Sequence, residues 1–410
     1  MKRSGVWHAE QAWLGRRAEN VLIEVEDGVI RSVTENTTIP QQATELKGWT
    51  LPGFANVHSH AFQRTIRGRV ESGGGDFWKW RELMYGATEW DEDGYFELCT
   101  SVFEEMLAAG ITAVGEFHYL HALGNALGMA VIRAAQRTGI RLTLIDACYL
   151  FGGVDGRPPA GAQRGFSDGD VDRWAERMDE LADEEGDGVH VAAAIHSVRA
   201  VDPDSMRIVA AWARRRGVPL HVHLAEQPGE VEECRAEHGC TPVELLDREG
   251  ILGEDLTAVH AIHVLDGDVA LLGRHRVSVC ACTTSERDLG DRVGPLGALS
   301  AAGCAIAVGS DSNSVVDVLE EARGLELDQR RATGRRVHHQ PEDLLRFATS
   351  NGMRCLGWDS GELKPGMLAD FVTVRPAARA PVLDAAQVVF ARSSSDVTNV
   401  VVGGRTLVSR

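Results

Sequence analysis

Between residues 51 and 310, short β-rich apolar runs alternate with longer stretches of helical character. The runs fall at Trp49–Val57, Thr112–Phe117, Arg141–Ala147, His190–Ile195, Val218–Leu224, Thr257–Ala261, Val277–Ala281 and Cys304–Val308. Helical intervals such as Leu123–Thr138 and Pro203–Arg216 separate most of them. Strands that alternate with helices pair in parallel, and eight such units predict an α/β fold with a closed, TIM-like (β/α)8 barrel.

The chain ends carry a different pattern. Asn20–Val33 holds two alternating strands around Asp27-Gly28, a dipeptide that favours a tight hairpin turn. Ala369–Val374, Val388–Ala391 and Val397–Val408 read as short strands, the last pair turning at Gly403-Gly404. Two β-rich ends flanking a barrel predict one small β-sandwich beside it. The expected domains are residues 1–50 plus 361–410 for the sandwich and 51–360 for the barrel. Gly73-Gly74-Gly75 reads as a loop tip, because the glycine pattern of a phosphate cradle is missing.

Charge narrows the partners. A net charge of −18 with no basic stripe argues against nucleic acid, and leaves any anionic ligand to locally placed arginines. No run approaches the roughly 18 apolar residues of a membrane span. Met1–Trp7 lacks a signal-peptide core, so a cytoplasmic protein without membrane partners is expected. The eight cysteines are scattered without a Cys-x-x-Cys pair and read as reduced, mostly buried thiols, Cys280 and Cys282 included.

In such barrels the chemistry sits where the strands end. His58-Ser59-His60 closes the first predicted strand; residues i and i+2 share a face, so both imidazoles can reach one point. Glu116, His118 and Tyr119 follow the second strand, and His196 and Arg199 the fourth. The fifth ends in His221-Val-His223-Leu-Ala-Glu226, the sixth in His260-Ala-Ile-His263 and the eighth in Gly309-Ser-Asp311-Ser312. Each alone has a plain explanation: an aspartate after a strand is often a helix cap. Together they are costly to bury unless paired or metal-bound.

This set resembles the deaminase branch of the amidohydrolase superfamily. The matching motifs are Pro52-Gly53 leading to His58-Ser-His60, His223-x-x-Glu226, Val259-His260-Ala261 and Gly309-Ser-Asp311-Ser312; Gly361–Asp370 is similar to that superfamily's return into its β-sandwich. Within the branch, His58–Arg64, Phe77–Tyr85, Gly115–His121, His196–Val201, His223–Gln227 and Glu286–Asp291 resemble the formimidoylglutamate deiminases.

The resemblance implies one divalent ion, Zn²⁺ first among candidates, on His58, His60, His223 and Asp311. His223 is preferred over His221 because of the His-x-x-Glu pattern; His221 is expected to be structural. It implies Glu226 as proton carrier, His260 as hydrogen-bond partner of the nucleophile and tetrahedral intermediate, and Asp311 as a further aid to proton transfer. Arg81 and Arg199 would grip the substrate carboxylates with forked donors, and Gln63, Tyr119 and His196 would complete the pocket. Trp78 and Trp80 could wall the site or pack the barrel edge. The implied reaction is hydrolysis of N-formimino-L-glutamate at its linear amidine C–N bond, giving N-formyl-L-glutamate and ammonia in histidine degradation, by a homodimer.

Two departures are visible. Asn313 stands where many relatives have histidine, which bears on substrate contacts, and Cys282-Thr-Thr-Ser-Glu286 replaces Cys-Pro-Thr-Thr-Glu, which bears on loop rigidity. Other readings stay open: a deaminase of a guanine- or cytosine-like nucleobase or another formamidine, or a non-catalytic scaffold. The first would favour aromatic stacking and amide contacts over two arginines; the second would have lost a ligand or Glu226.

Overall fold

The computed structural model describes residues 3–69, 77–375 and 384–410, without the side chains of 77–79 and 385. The Gly73–Gly75 run and the Trp78 side chain therefore lie outside the described residues. The N-terminal part forms β1 (Gly5–Trp13), β2 (Arg17–Glu26), β3 (Val29–Thr34) and β4 (Thr44–Pro52). Next come β5 (Phe54–Ser59), β6 (Ile111–His118), β7 (Arg141–Cys148), β8 (Val189–Ile195), β9 (Leu220–Leu224), β10 (Leu256–His260), β11 (Ser278–Ala281) and β12 (Ala305–Val308). The chain ends with β13 (Phe371–Val374), β14 (Val397–Val402) and β15 (Arg405–Ser409).

Strands β5 to β12 lie side by side in chain order, each parallel to the next, as the alternating pattern predicts. Helices cover their outer faces, so β5, β6, β7 and β9 are buried along their whole length and carry near-continuous apolar runs. Pro203–Arg216 is a helix over the expected residues, capped by the Asp202 side chain and ended by left-handed Gly217.

The two chain ends share one mixed sheet of order β15-β14-β13-β4-β1-β2-β3. It has its own apolar core, with Trp7 edge-on to Phe371 at 5.4 Å. The β2–β3 hairpin turns at Asp27-Gly28, both with positive φ as a tight turn requires. A buried ion pair, Arg141 to Asp370 at 2.7 Å, ties this sheet to β7.

Two expected strands are corrected. Trp49–Val57 is not one strand: Trp49–Pro52 ends β4 in the terminal sheet, and the barrel begins at Phe54. The break falls at Gly53, where a Cβ would come within 2.2 Å of Thr112 Oγ1. Val388–Ala391 is a short helix, whose Val389 carbonyl accepts from Arg323 of the helix Val318–Thr333. A four-residue apolar run has no period that separates strand from buried helix.

The ring closes between β12 and β5 in an unusual way. Among the described residues the link there is an isolated parallel bridge, Ser59 with Asp311, rather than a ladder. Asp311 donates its backbone N–H to the His58 carbonyl, and His60 donates to the Asp311 carbonyl, both at 2.9 Å. Gly309 allows the approach, since a Cβ there would sit 2.8 Å from the backbone N and O of His58.

Candidate active site

His58, His60, His223 and Asp311 converge at the strand ends. His58 Nε2 lies 3.1 Å from His223 Nε2 and 3.5 Å from Asp311 Oδ1; His60 Nε2 is also 3.5 Å from Asp311 Oδ1. His60 Nδ1 donates to the Phe117 carbonyl at 2.9 Å and His223 Nδ1 to the His196 carbonyl at 3.0 Å. Those two bonds fix the tautomers, so both Nε2 lone pairs point inward. Burial lowers the pKa of His58 to about 3 and lowers those of His60 and His223 as well, keeping all three rings in the neutral, ligating form. Burial alone would raise the pKa of Asp311, yet the hydrogen-bonded His58 and the neighbouring imidazoles hold it below the usual carboxylate range. The Nε2 atoms of these neutral imidazoles and the Asp311 carboxylate thus form a set of donors turned toward one another. Three imidazoles and one carboxylate therefore fit a divalent ion such as Zn²⁺.

His221, two residues earlier on the same strand, is outside this set. Its Nε2 reaches the Cys355 carbonyl at 3.1 Å. Glu226 follows a turn in which Ala225 has φ +48, and Glu230 accepts the Ala225 N–H at 2.9 Å. Glu226 Oε1 is 3.9 Å from His260 Nε2, and its Oε2 is 3.4 Å from Arg199 Nη2. His260 Nδ1 contacts Glu286 Oε1 at 3.3 Å. Burial favours the neutral ring, but the Glu286 hydrogen bond and the charges of Glu226 and Asp311 raise the pKa of His260 to about 10.

Gln63, Arg81, Tyr119, His196 and Arg199 all line one cavity together with His60, His223, Glu226, His260 and Asp311. His58 sits behind that wall, fully buried. The Arg81 guanidinium lies over the Tyr85 ring at 5.5 Å, and Arg199 Nε is 3.4 Å from Glu230 Oε2. Trp80 is on the wall too. So are Tyr149, Phe166 and Arg157, which sequence reasoning missed. Tyr149 directly follows β7, so the strand-end rule could have found it; Arg157 sits in the loop beyond and Phe166 ends the short 3-10 helix Gly161–Phe166, neither with a motif.

Not every strand-end candidate joins the site. Phe117 and Tyr119 face inward from β6, packing on His223 at 4.3 Å and His60 at 5.3 Å. Glu116 and His118 therefore face the other way, by the two-residue period. His118 joins His121 and Asp146 in a second buried group. There Arg177 donates to both Asp146 oxygens at 2.7 and 2.9 Å and lies 3.2 Å from His121 Nε2. Asn313 is not on the cavity wall; it is fully buried behind the ligands, which corrects the expectation that it alters substrate contacts. Thr283 opens the helix Thr283–Leu289, so its segment is not a loop whose rigidity depends on the missing proline; proline is well tolerated at a first helical position.

The amidohydrolase family model matches residues 49–407. The formimidoylglutamate deiminase of Pseudomonas aeruginosa is 34% identical over 378 residues, 87% of this chain and 83% of its own length. The 5-methylthioadenosine/S-adenosylhomocysteine deaminase of Natronomonas pharaonis is 29% identical over 96% of this chain and 89% of its own. The crystal structure of an amidohydrolase from Brucella melitensis, 32% identical, superposes with a TM-score of 0.91 over 99% of this chain and 95% of that one. With a parallel barrel bearing histidines and an aspartate at its strand ends, and with deaminases among its relatives, the chain belongs to the amidohydrolase family.

Proposed function

We propose that the protein hydrolyses N-formimino-L-glutamate to N-formyl-L-glutamate and ammonia, as a step of histidine degradation. The observation that carries this reading is the pair Arg81 and Arg199 on the same cavity wall as Glu226 and the convergent histidines. In a chain of net charge −18, a cleft lined by Arg81 and Arg199, with Arg157 as a third guanidinium, suits a substrate with two carboxylates. The 34% identity to a formimidoylglutamate deiminase supports it.

His58, His60, His223 and Asp311 would hold the divalent ion. When bound, that ion's chemistry is to bring the pKa of water toward neutrality, so that a nucleophile exists at pH 7. Glu226, within reach of both the cleft and His260, takes the proton of the attacking water. His260 donates a hydrogen bond toward the oxygen added at the formimino carbon and steadies the tetrahedral centre. Both protons of the water end on the departing nitrogen: Glu226 returns the one it took, and Asp311 takes the other from the added hydroxyl and passes it on, so that the C–N bond breaks, ammonia leaves and the added oxygen becomes the formyl carbonyl. Arg81 and Arg199 orient the two carboxylates, with Gln63, Tyr119 and His196 closing the pocket. The active unit in this reading is a homodimer, which light scattering tests directly.

One observation favours a second reading. The cleft is also walled by Trp80, Tyr85, Tyr119, Tyr149 and Phe166, an aromatic lining that suits a nucleobase, and an adenosine-type deaminase is among the relatives. Ammonia release separates the two. Chelated and Zn²⁺-reloaded protein is offered N-formimino-L-glutamate, N-formimino-L-aspartate, guanine, cytosine and 5-methylthioadenosine. Metal-dependent turnover of the formimino diacid is expected; turnover of a nucleobase alone would replace the proposal.

A further inference from the structure

The eighth-strand loop, Gly309-Ser-Asp-Ser-Asn313, is stitched residue by residue to its neighbours. Ser310 donates its backbone N–H to Asn56 Oδ1 at 2.8 Å and accepts from Asn56 Nδ2 at 2.7 Å. Ser312 donates its N–H to Ser285 Oγ at 3.0 Å. Asn313 Nδ2 donates twice, to Ser59 Oγ and to the His60 carbonyl, both at 3.1 Å, and Asn313 Oδ1 accepts from Ser310 Oγ at 2.6 Å. The Ser59 hydroxyl passes on to Glu116 Oε2 at 2.7 Å, and Glu116 Oε1 accepts the Ala61 N–H at 2.6 Å. Asn56, Ser59, Glu116, Ser310 and Asn313 are all essentially inaccessible to solvent.

The position of this network gives it meaning. At the seam between β12 and β5 the backbone contributes two hydrogen bonds, those between Asp311 and the two histidines, and the barrel has no further ladder there among the described residues. A small slip at the seam would move Asp311 against His58 and His60 while leaving His223 on β9 in place. A ligand set tolerates displacement of only about 0.5 Å. The Asn313 carboxamide spans this seam from the residue pair that includes Asp311 to the pair that includes His60. Its backbone is left-handed at φ +56, a conformation that asparagine tolerates better than most residues. It also supplies two donors and an acceptor at once, which a neutral imidazole with one of each does not.

We propose that Asn313 is a positioning residue for the divalent ion: with Ser59 and Glu116 it locks the seam, and so fixes Asp311 against His58 and His60. The inference rests on the metal reading of the site. The test uses the full chain, stripped of metal and titrated with Zn²⁺ against a chromophoric chelator, with melting temperatures recorded before and after loading. Asn313→Ala is expected to weaken Zn²⁺ binding by about 10–100-fold, the usual cost of losing a group that orients ligands. It should also shrink the rise in Tm on loading. Wild-type affinity in Asn313→Ala, with Tm lowered equally in both states, would mean a packing role only and overturns the proposal. If Asn313→Ala does not fold, Ser59→Ala removes the hydroxyl between Asn313 and Glu116 and is read the same way: weakened Zn²⁺ binding supports the proposal and unchanged binding defeats it. Absence of Zn²⁺ binding by the wild-type chain would defeat the metal reading itself, and this inference with it.

Discussion

His58, His60 and His223 make one cluster near the strand ends, joined through His58 to Asp311 and His260; His118, His121 and Asp146, from β6, the loop after it and β7, make another. Donor types and spacing are alike, and both clusters are buried. They differ in what supplies positive charge. In the second, the helix Val171–Ala182 delivers Arg177, which donates to Asp146 through two nitrogens and to Asp168 at 2.7 Å. Despite its burial, Asp146 is held far below the usual aspartate range by that guanidinium and His121. In the first, the Nε2 atoms of His58 and His223 face each other at 3.1 Å with no arginine between them. A buried carboxylate needs positive charge or hydrogen-bond donors beside it: Asp146 has the Arg177 guanidinium, whereas Asp311 has the imidazoles of His58, His60 and His260.

The largest test of that contrast replaces a ligand. His223→Ala should remove bound Zn²⁺, read by elemental analysis, and turnover with it, whereas His121→Ala should leave metal content at the wild-type value. Glu226→Gln should keep the metal and lower kcat by about 10²–10⁴-fold, the range for losing a positioned proton carrier. Retained activity would remove Glu226 from that role. Arg177→Met breaks the second cluster by leaving Asp146 without its guanidinium. A loss of about 3–5 kcal/mol in chemical denaturation is expected, and a variant that instead gained a tightly bound ion would show that Arg177 merely occupies a metal site. The smallest effect is in acid. Asp146 has a depressed folded-state pKa, so its contribution is fully present above the unfolded value of about 3.9 and is lost as pH falls below it toward the folded value. Unfolding free energy measured from pH 5 downward should therefore fall less steeply in Asp146→Asn than in the parent chain.

Much of this architecture is legible in the residue pattern. Eight apolar runs separated by helices specify a parallel barrel, and histidines at their ends mark the rim where the candidate site lies. What the pattern hides is direction and distance. His118 ends a strand as His58 does, but the two-residue period turns it outward, and only pairing with β5 and β7 reveals which of Phe117 and His118 faces the barrel interior. Arg177 gives no sign of its role, because it meets Asp146 through tertiary packing of a distant helix. Trp49–Val57 reads as one strand because both halves are apolar; the break at Gly53 depends on Thr112, which is remote in sequence. Asn313 stands out only as a departure, and its contacts with Ser59 and His60 belong to the closed barrel.

The seam also sets a schedule for the growing chain. His58 and His60 emerge early, but the contact that completes their site joins residues 254 positions apart. At ribosomal rates of about 5–20 residues per second, that interval lasts roughly 13–50 s. Until then His58 and His60 lack the partners that the closed barrel brings to them. A chain released before the eighth strand would lack Asp311 and Asn313, and with them the hydrogen bonds that join β12 to β5.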